Sequence, residues 1–206
     1  MTIYGESLQR LTTSSVALLT VAEAKAQCAV ESDFTDDDAL FSSLIEAATR
    51  AAEDYMRRSI IEREWRYQFQ DFPRGARSFR LPRAPLIGVQ SITFVDTNGE
   101  RQELSTALYS VNIGYDDGPG RVELNYGYDW PIVRCGPAAV GVDFTAGYAG
   151  GSPWDVSGVP ASIVHAVRMM IAHFYANREA VVIGGAPLEV PLTFRHLLDL
   201  FVCYDQ

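Results

Sequence analysis

The chain has 206 residues, 48% of them apolar and 21% charged, enough for one large core or two small ones without covalent staples. Its 17 basic and 26 acidic residues give a formal net charge of −9, which argues against tight, counterion-displacing binding of a nucleic-acid backbone. Cys28, Cys135 and Cys203 lie far apart without a CxxC pair, so neither a zinc knuckle nor a redox motif is supported and a reduced, cytoplasmic assembly compartment fits.

Residues 1–19 are polar, rich in Ser and Thr and without a clear period; they read as an arm that orders on a partner. They lack a basic leader region, and no apolar run in the chain approaches the roughly 18 residues of a membrane span. Thr20-Val-Ala-Glu23 is a capping box: Thr20 can accept from the Glu23 amide while Glu23 reaches back to the Thr20 amide. It predicts a short helix ending near Cys28.

The stretch Asp33-Phe-Thr-Asp-Asp-Asp38 concentrates four carboxylates. An EF-hand loop needs Gly at its sixth position and Glu at its twelfth, but counting from Asp33 those positions hold Asp38 and Leu44. A helix start explains the acids better. Thr35 is the expected N-cap, Asp38 its partner three residues on, and Asp36 and Asp37 face the positive end of the helix dipole. Leu40, Phe41, Leu44, Ile45, Ala48, Ala51, Ala52, Tyr55 and Met56 then recur in steps of three and four, the face of an amphipathic helix. Arg57 and Arg58 are expected to close its last turn.

After Ile61 the period becomes two. Trp65, Tyr67 and Phe69 alternate with polar residues, as in a strand with one face buried. Further strands are predicted at 89–95, 108–113, 121–125 and 140–146, and Asn98-Gly99 is a hairpin turn because both residues tolerate positive φ. Helix returns at Val159-Pro160, with Ile163, Val167, Met170, Ile171 and Phe174 as its apolar stripe. Gly184-Gly185 interrupts, and a last helix runs from about Pro191 to Phe201. The expected class is α+β: an arm over 1–19, a small helical bundle built from 20–62 and 157–206, and an inserted antiparallel, sandwich-like β module over 63–150.

Catalytic signatures are missing. There is no GxSxG elbow, no GxxxxGK[ST] phosphate loop and no HExxH. His165 and His173 are two helical turns apart, about 12 Å, too far to share one metal. No catalytic residue, metal ligand or cofactor is therefore assigned. Tyr126, Tyr128 and Trp130 alternate before Pro131 and could form a carbohydrate- or protein-recognition platform; a strand edge or loop packed on the sheet is the competing reading. The chain ends in Phe201-Val-Cys-Tyr-Asp-Gln206, apolar for a terminus, which suggests docking on a partner or on the chain's own helices.

The order of segments resembles a known family. Leu19-Thr-Val-Ala-Glu-Ala-Lys25, the acidic stretch and its helix, Trp65, Leu81-Pro-Arg-Ala-Pro-Leu86 and Phe94-Val-Asp-Thr-Asn-Gly99 come first. Pro119-Gly-Arg-Val122, Asp129-Trp-Pro131, Val142-Asp-Phe-Thr-Ala-Gly-Tyr148, Val159-Pro-Ala-Ser-Ile163 and His173-Phe-Tyr-Ala-Asn-Arg-Glu-Ala180 follow. Over residues 19–201 this is similar to phage head–tail adaptors (connectors) of the branch with a β insertion, found in siphophages, prophages and gene transfer agents. The resemblance implies a structural virion protein and not an enzyme. It implies a ring of about twelve copies below the portal protein, carrying stopper or tail-completion proteins, with genomic DNA passing through its lumen without specific binding. It places the protein at the head–tail junction of a virion assembled in the host cytoplasm, with no membrane partner. Since the family's C-terminal segment engages the portal, it also implies Leu192, Phe194, Leu197, Leu198, Phe201, Val202 and Tyr204 as portal-interface candidates.

Overall fold

The computed structural model describes residues 5–12, 16–114, 118–150, 155–178 and 192–204. The chain forms two compact units: a β unit from Met1–Ser14 and Glu62–Tyr148, and a helical unit from Ser15–Ile61 and Ala149–Gln206.

The β unit holds two antiparallel sheets. Strands β1 (Ser7–Arg10), β2 (Arg63–Phe69), β8 (Val140–Ala146), β4 (Leu86–Val95) and β5 (Arg101–Glu103) form one, in that spatial order. Strands β3 (Ser78–Arg80), β7 (Arg121–Leu124) and β6 (Tyr109–Asn112) form the other. Alternation decides which residues go inside. Trp65, Tyr67 and Phe69 on β2 pair with Phe144, Val142 and Val140 on β8, and all six are buried. They share one core with Phe79, Tyr109 and Val122 of the smaller sheet. The outward residues of the same rows are polar: Arg66 makes a two-pronged ion pair with Asp143, at 2.6 Å for each nitrogen–oxygen contact. The Asn98-Gly99 turn forms between β4 and β5, with Gly99 at φ 90°. Asp96 reinforces it by accepting from the Asn98 and Glu100 amides at 2.9 Å each, bonds that hold its carboxyl below the usual range.

Three strands have no counterpart among the predicted ones: β1, β3 and β5. Each is only three or four residues long and carries at most one large apolar residue. Their pairing partners define them, not their own period. Ser7–Arg10 therefore corrects the expectation of an unordered arm, since it pairs with β2 from Ser7↔Gln68 to Arg10↔Trp65. Leu18 and Leu19, also placed in the arm, are buried.

In the helical unit, α1 (Val21–Gln27) and α2 (Asp38–Met56) pack with α3 (Ala161–Ala176), and α4 (Leu192–Asp199) packs on α2 and α3. The capping box at Thr20 and Glu23 is formed in both directions. The expected Thr35 cap is not. Helix α2 starts at Asp38, its N-cap is Asp37, and no side chain caps it. Tertiary partners take the acids instead. Asp38 pairs with Lys25, and Asp37 accepts from Tyr175 at 2.9 Å and Arg178 at 2.8 Å. The far end of α2 differs too. Arg57 is the left-handed C-cap, at φ 56°, and Arg58 is buried, so neither lies in the last turn. The buried Glu53 then accepts the Ile60 and Ile61 amides at 2.8 and 3.3 Å, satisfying donors that the turn would leave unpaired. Pro160 is the N-cap of α3, one residue before the position expected for it. Gly184-Gly185 and Pro191 lie outside the described residues.

Candidate functional site

The C-terminal segment is the first place to look. Residues four apart on a helix share a face, and on α4 Phe194 and Leu198 turn inward, 4% and 0% exposed. The Phe194 ring lies 6.4 Å from that of Tyr55 on α2. Polar bonds then strap the segment down. The Tyr55 hydroxyl donates to the Asp199 carboxylate at 2.5 Å, which pushes the Tyr55 phenol above its ordinary pKa. The Arg58 guanidinium donates to the Phe201 carbonyl, and the Cys203 amide donates to the Met56 carbonyl at 2.9 Å.

This docking sorts the portal-interface candidates. Phe194 and Leu198 belong to the unit's own core. Leu197, Phe201 and Val202 are half-buried, and Tyr204 is 72% exposed. The side chain of Leu192 lies outside the described residues. Leu200, which the sequence reading missed, is the most exposed large apolar residue of the segment at 85%. Its phase could have found it. It falls two residues after inward Leu198, where a helical path points away from the buried face. Leu200 and Tyr204 thus form an apolar surface on an anchored base, with Tyr55 partly exposed on the helix beneath.

The acidic stretch does not gather into a site. Asp33 and Asp36 face solvent, while Asp37 and Asp38 hold helices together. Lys25, the chain's single lysine, is 3% exposed and also donates to the Phe34 carbonyl at 2.7 Å. Glu23, besides capping α1, accepts from Arg168 on α3 at 2.9 Å. The Thr20 bonds, and after them Arg168, hold its carboxyl below the usual range. Among the described residues, no three His, Cys, Asp or Glu side chains could hold a metal ion.

The three aromatics of the alternative platform part company. Trp130 turns inward: its indole donates to the Ala76 carbonyl at 2.9 Å, and its ring stacks on Phe72 at 4.8 Å and 3°. Tyr126 and Tyr128 point outward, 100% and 45% exposed. The stretch is a loop beginning in a turn at Tyr126-Gly127, and the three rings do not share one face.

Residues 19–116 match the family described as phage gp6-like head-tail connector protein. The chain belongs to the phage head–tail connector family. Solved structures carry the likeness through the rest of the connector. One chain is in the virion of a native gene transfer agent (GTA) particle, with 25% identity, a TM-score of 0.76 and coverage of 97% of this chain and 96% of that one. Another is in the neck of an empty GTA particle computed with C6 symmetry, with 24% identity, a TM-score of 0.77 and 97% of both chains covered. A third is in the neck of a native GTA particle computed with C12 symmetry, with 24% identity, a TM-score of 0.74 and 97% of both chains covered. No curated protein matches the connector's sequence. The α+β architecture is that of these neck proteins.

Proposed function

We propose that this connector is a ring-forming structural protein of the virion neck, seated between the portal protein and stopper or tail-completion proteins. It has no catalytic role, and genomic DNA passes through its lumen. Family membership and the full-length likeness to a GTA virion chain support the reading, and the C12 neck relative supports a ring of about twelve copies. Charge is consistent with the channel. The helical unit carries seven basic against fourteen acidic residues and the β unit ten against twelve, so neither unit is a cationic trap for phosphates.

The observation that carries the portal contact is the docked C-terminal segment. It holds Leu200 and Tyr204 in solvent on a base fixed by Phe194 and Leu198. Anchored apolar side chains bind at lower entropic cost than a loose tail. Co-sedimentation with portal rings from the same genome tests it. The full chain should bind, and the Leu200→Ser/Tyr204→Ser pair should weaken binding about tenfold or more while keeping the wild-type circular dichroism. Equal binding by the double variant would move the portal contact elsewhere on the connector.

A further inference from the structure

A connector must grip two dissimilar proteins, one on the head side and one on the tail side. Resting on the reading above, we propose that the loop between Asn125 and Val133 of the β unit is the second grip, for the tail-side protein of the neck. Two apolar side chains of this loop stand far out of the surface: Tyr126 is 100% exposed and Ile132 77%. Tyr128, between them, is 45% exposed. An apolar group this concentrated on eight residues is uncommon on a surface that faces only water.

The loop is held rigidly. The Asn125 amide donates to the Leu108 carbonyl at 2.9 Å, and its side chain donates to the Ala107 carbonyl at 2.9 Å and accepts from the Ser110 hydroxyl at 2.6 Å. Arg77 donates to the Asn125 carbonyl at 2.7 Å. At the other end Trp130 is pinned by Phe72 and Ala76. Gly127, at φ 86°, makes the tight turn that lifts Tyr126 clear. Tyrosine on a preorganised loop gives large contact area with little entropy to lose, which is why it is common at binding hot spots. Beside the loop lies an open cavity of about 560 Å³, lined in part by Phe72, Pro73, Trp130 and Ile132, where a partner's apolar side chain can seat.

Chemistry selects a protein as the occupant. Asp129 is the loop's one charged residue, so it offers no cation to a nucleic acid. Sugar stacking needs a free aromatic face, and Trp130 gives one of its faces to Phe72. A second copy would need a matching receptor. The other exposed large apolar residues of the β unit, among those described, are Leu11 and Ile113, which lie outside this loop and far apart in sequence.

The test uses full-length connector bound to portal rings and, as the probe, the purified tail-side neck protein from the same genome. Tyr126→Ser/Ile132→Ser should lower affinity for that protein about tenfold or more, with portal binding and thermal melting unchanged. Leu200→Ser/Tyr204→Ser should do the reverse. If the loop variant binds the tail-side protein as wild type does, or loses portal binding or self-association instead, the loop assignment is overturned. Wild-type connector that binds neither neighbour would overturn the connector placement itself, a different result from failure of the loop alone.

Discussion

Thr20 and Thr35 look alike in sequence, each followed three residues later by an acid, yet only Thr20 caps a helix. Glu23 reaches back to its cap; Asp38, a carbon shorter, is taken by Lys25. Thr20→Ala should therefore cost about 1 kcal/mol in urea unfolding, while Thr35→Ala should stay within about 0.5 kcal/mol. Equal losses would mean that the cap assignment is wrong. Asp37 sits where Tyr175 and then Arg178 donate to it, and these bonds hold its carboxyl below the usual Asp value. A carboxyl depressed in the folded state stabilises the fold above its unfolded pKa, about 3.9, and loses that contribution as pH falls through the lower folded value. Asp37→Asn should then be less stable than wild type at pH 7, with the gap closing in acid. A gap independent of pH would show that Asp37 acts through packing and not through its charge.

At the scale of elements, the strands with full alternation were legible and the short ones were not. Residues 140–146 were bounded correctly because Val140, Val142, Phe144 and Ala146 all point into one core. Ser7–Arg10 has Leu8 as its one apolar side chain, so its strand exists only through the backbone of β2. The acidic stretch misled for a related reason: local capping rules cannot see Tyr175 and Arg178, which arrive from α3 more than 130 residues later. The C-terminal segment was legible as apolar but not in its phase, and so buried anchors and exposed contacts were grouped together. Their energetics should separate them. Leu198→Ala empties a fully buried site and should cost roughly 2–5 kcal/mol, whereas Leu200→Ser should leave stability almost unchanged. Denaturant melts of the two variants decide this. Comparable losses from both would mean that Leu200 is part of the core after all.

For the whole molecule, two units with different chemistry suit a part that must join unlike neighbours. The helical unit carries most of the acidity and the apolar C-terminal surface; the β unit carries the aromatic loop and a nearly balanced charge. The family was legible from the order of segments, no one of which is specific alone. The contact surfaces were not, because they depend on which apolar side chains the fold leaves outside. The most direct measurement is the number of connector chains on each portal ring, counted by mass measurement and particle imaging of the reconstituted complex. A closed ring of about twelve chains per portal is expected. A portal that binds no connector, or binds scattered single copies that never close, would contradict a connector ring in the neck.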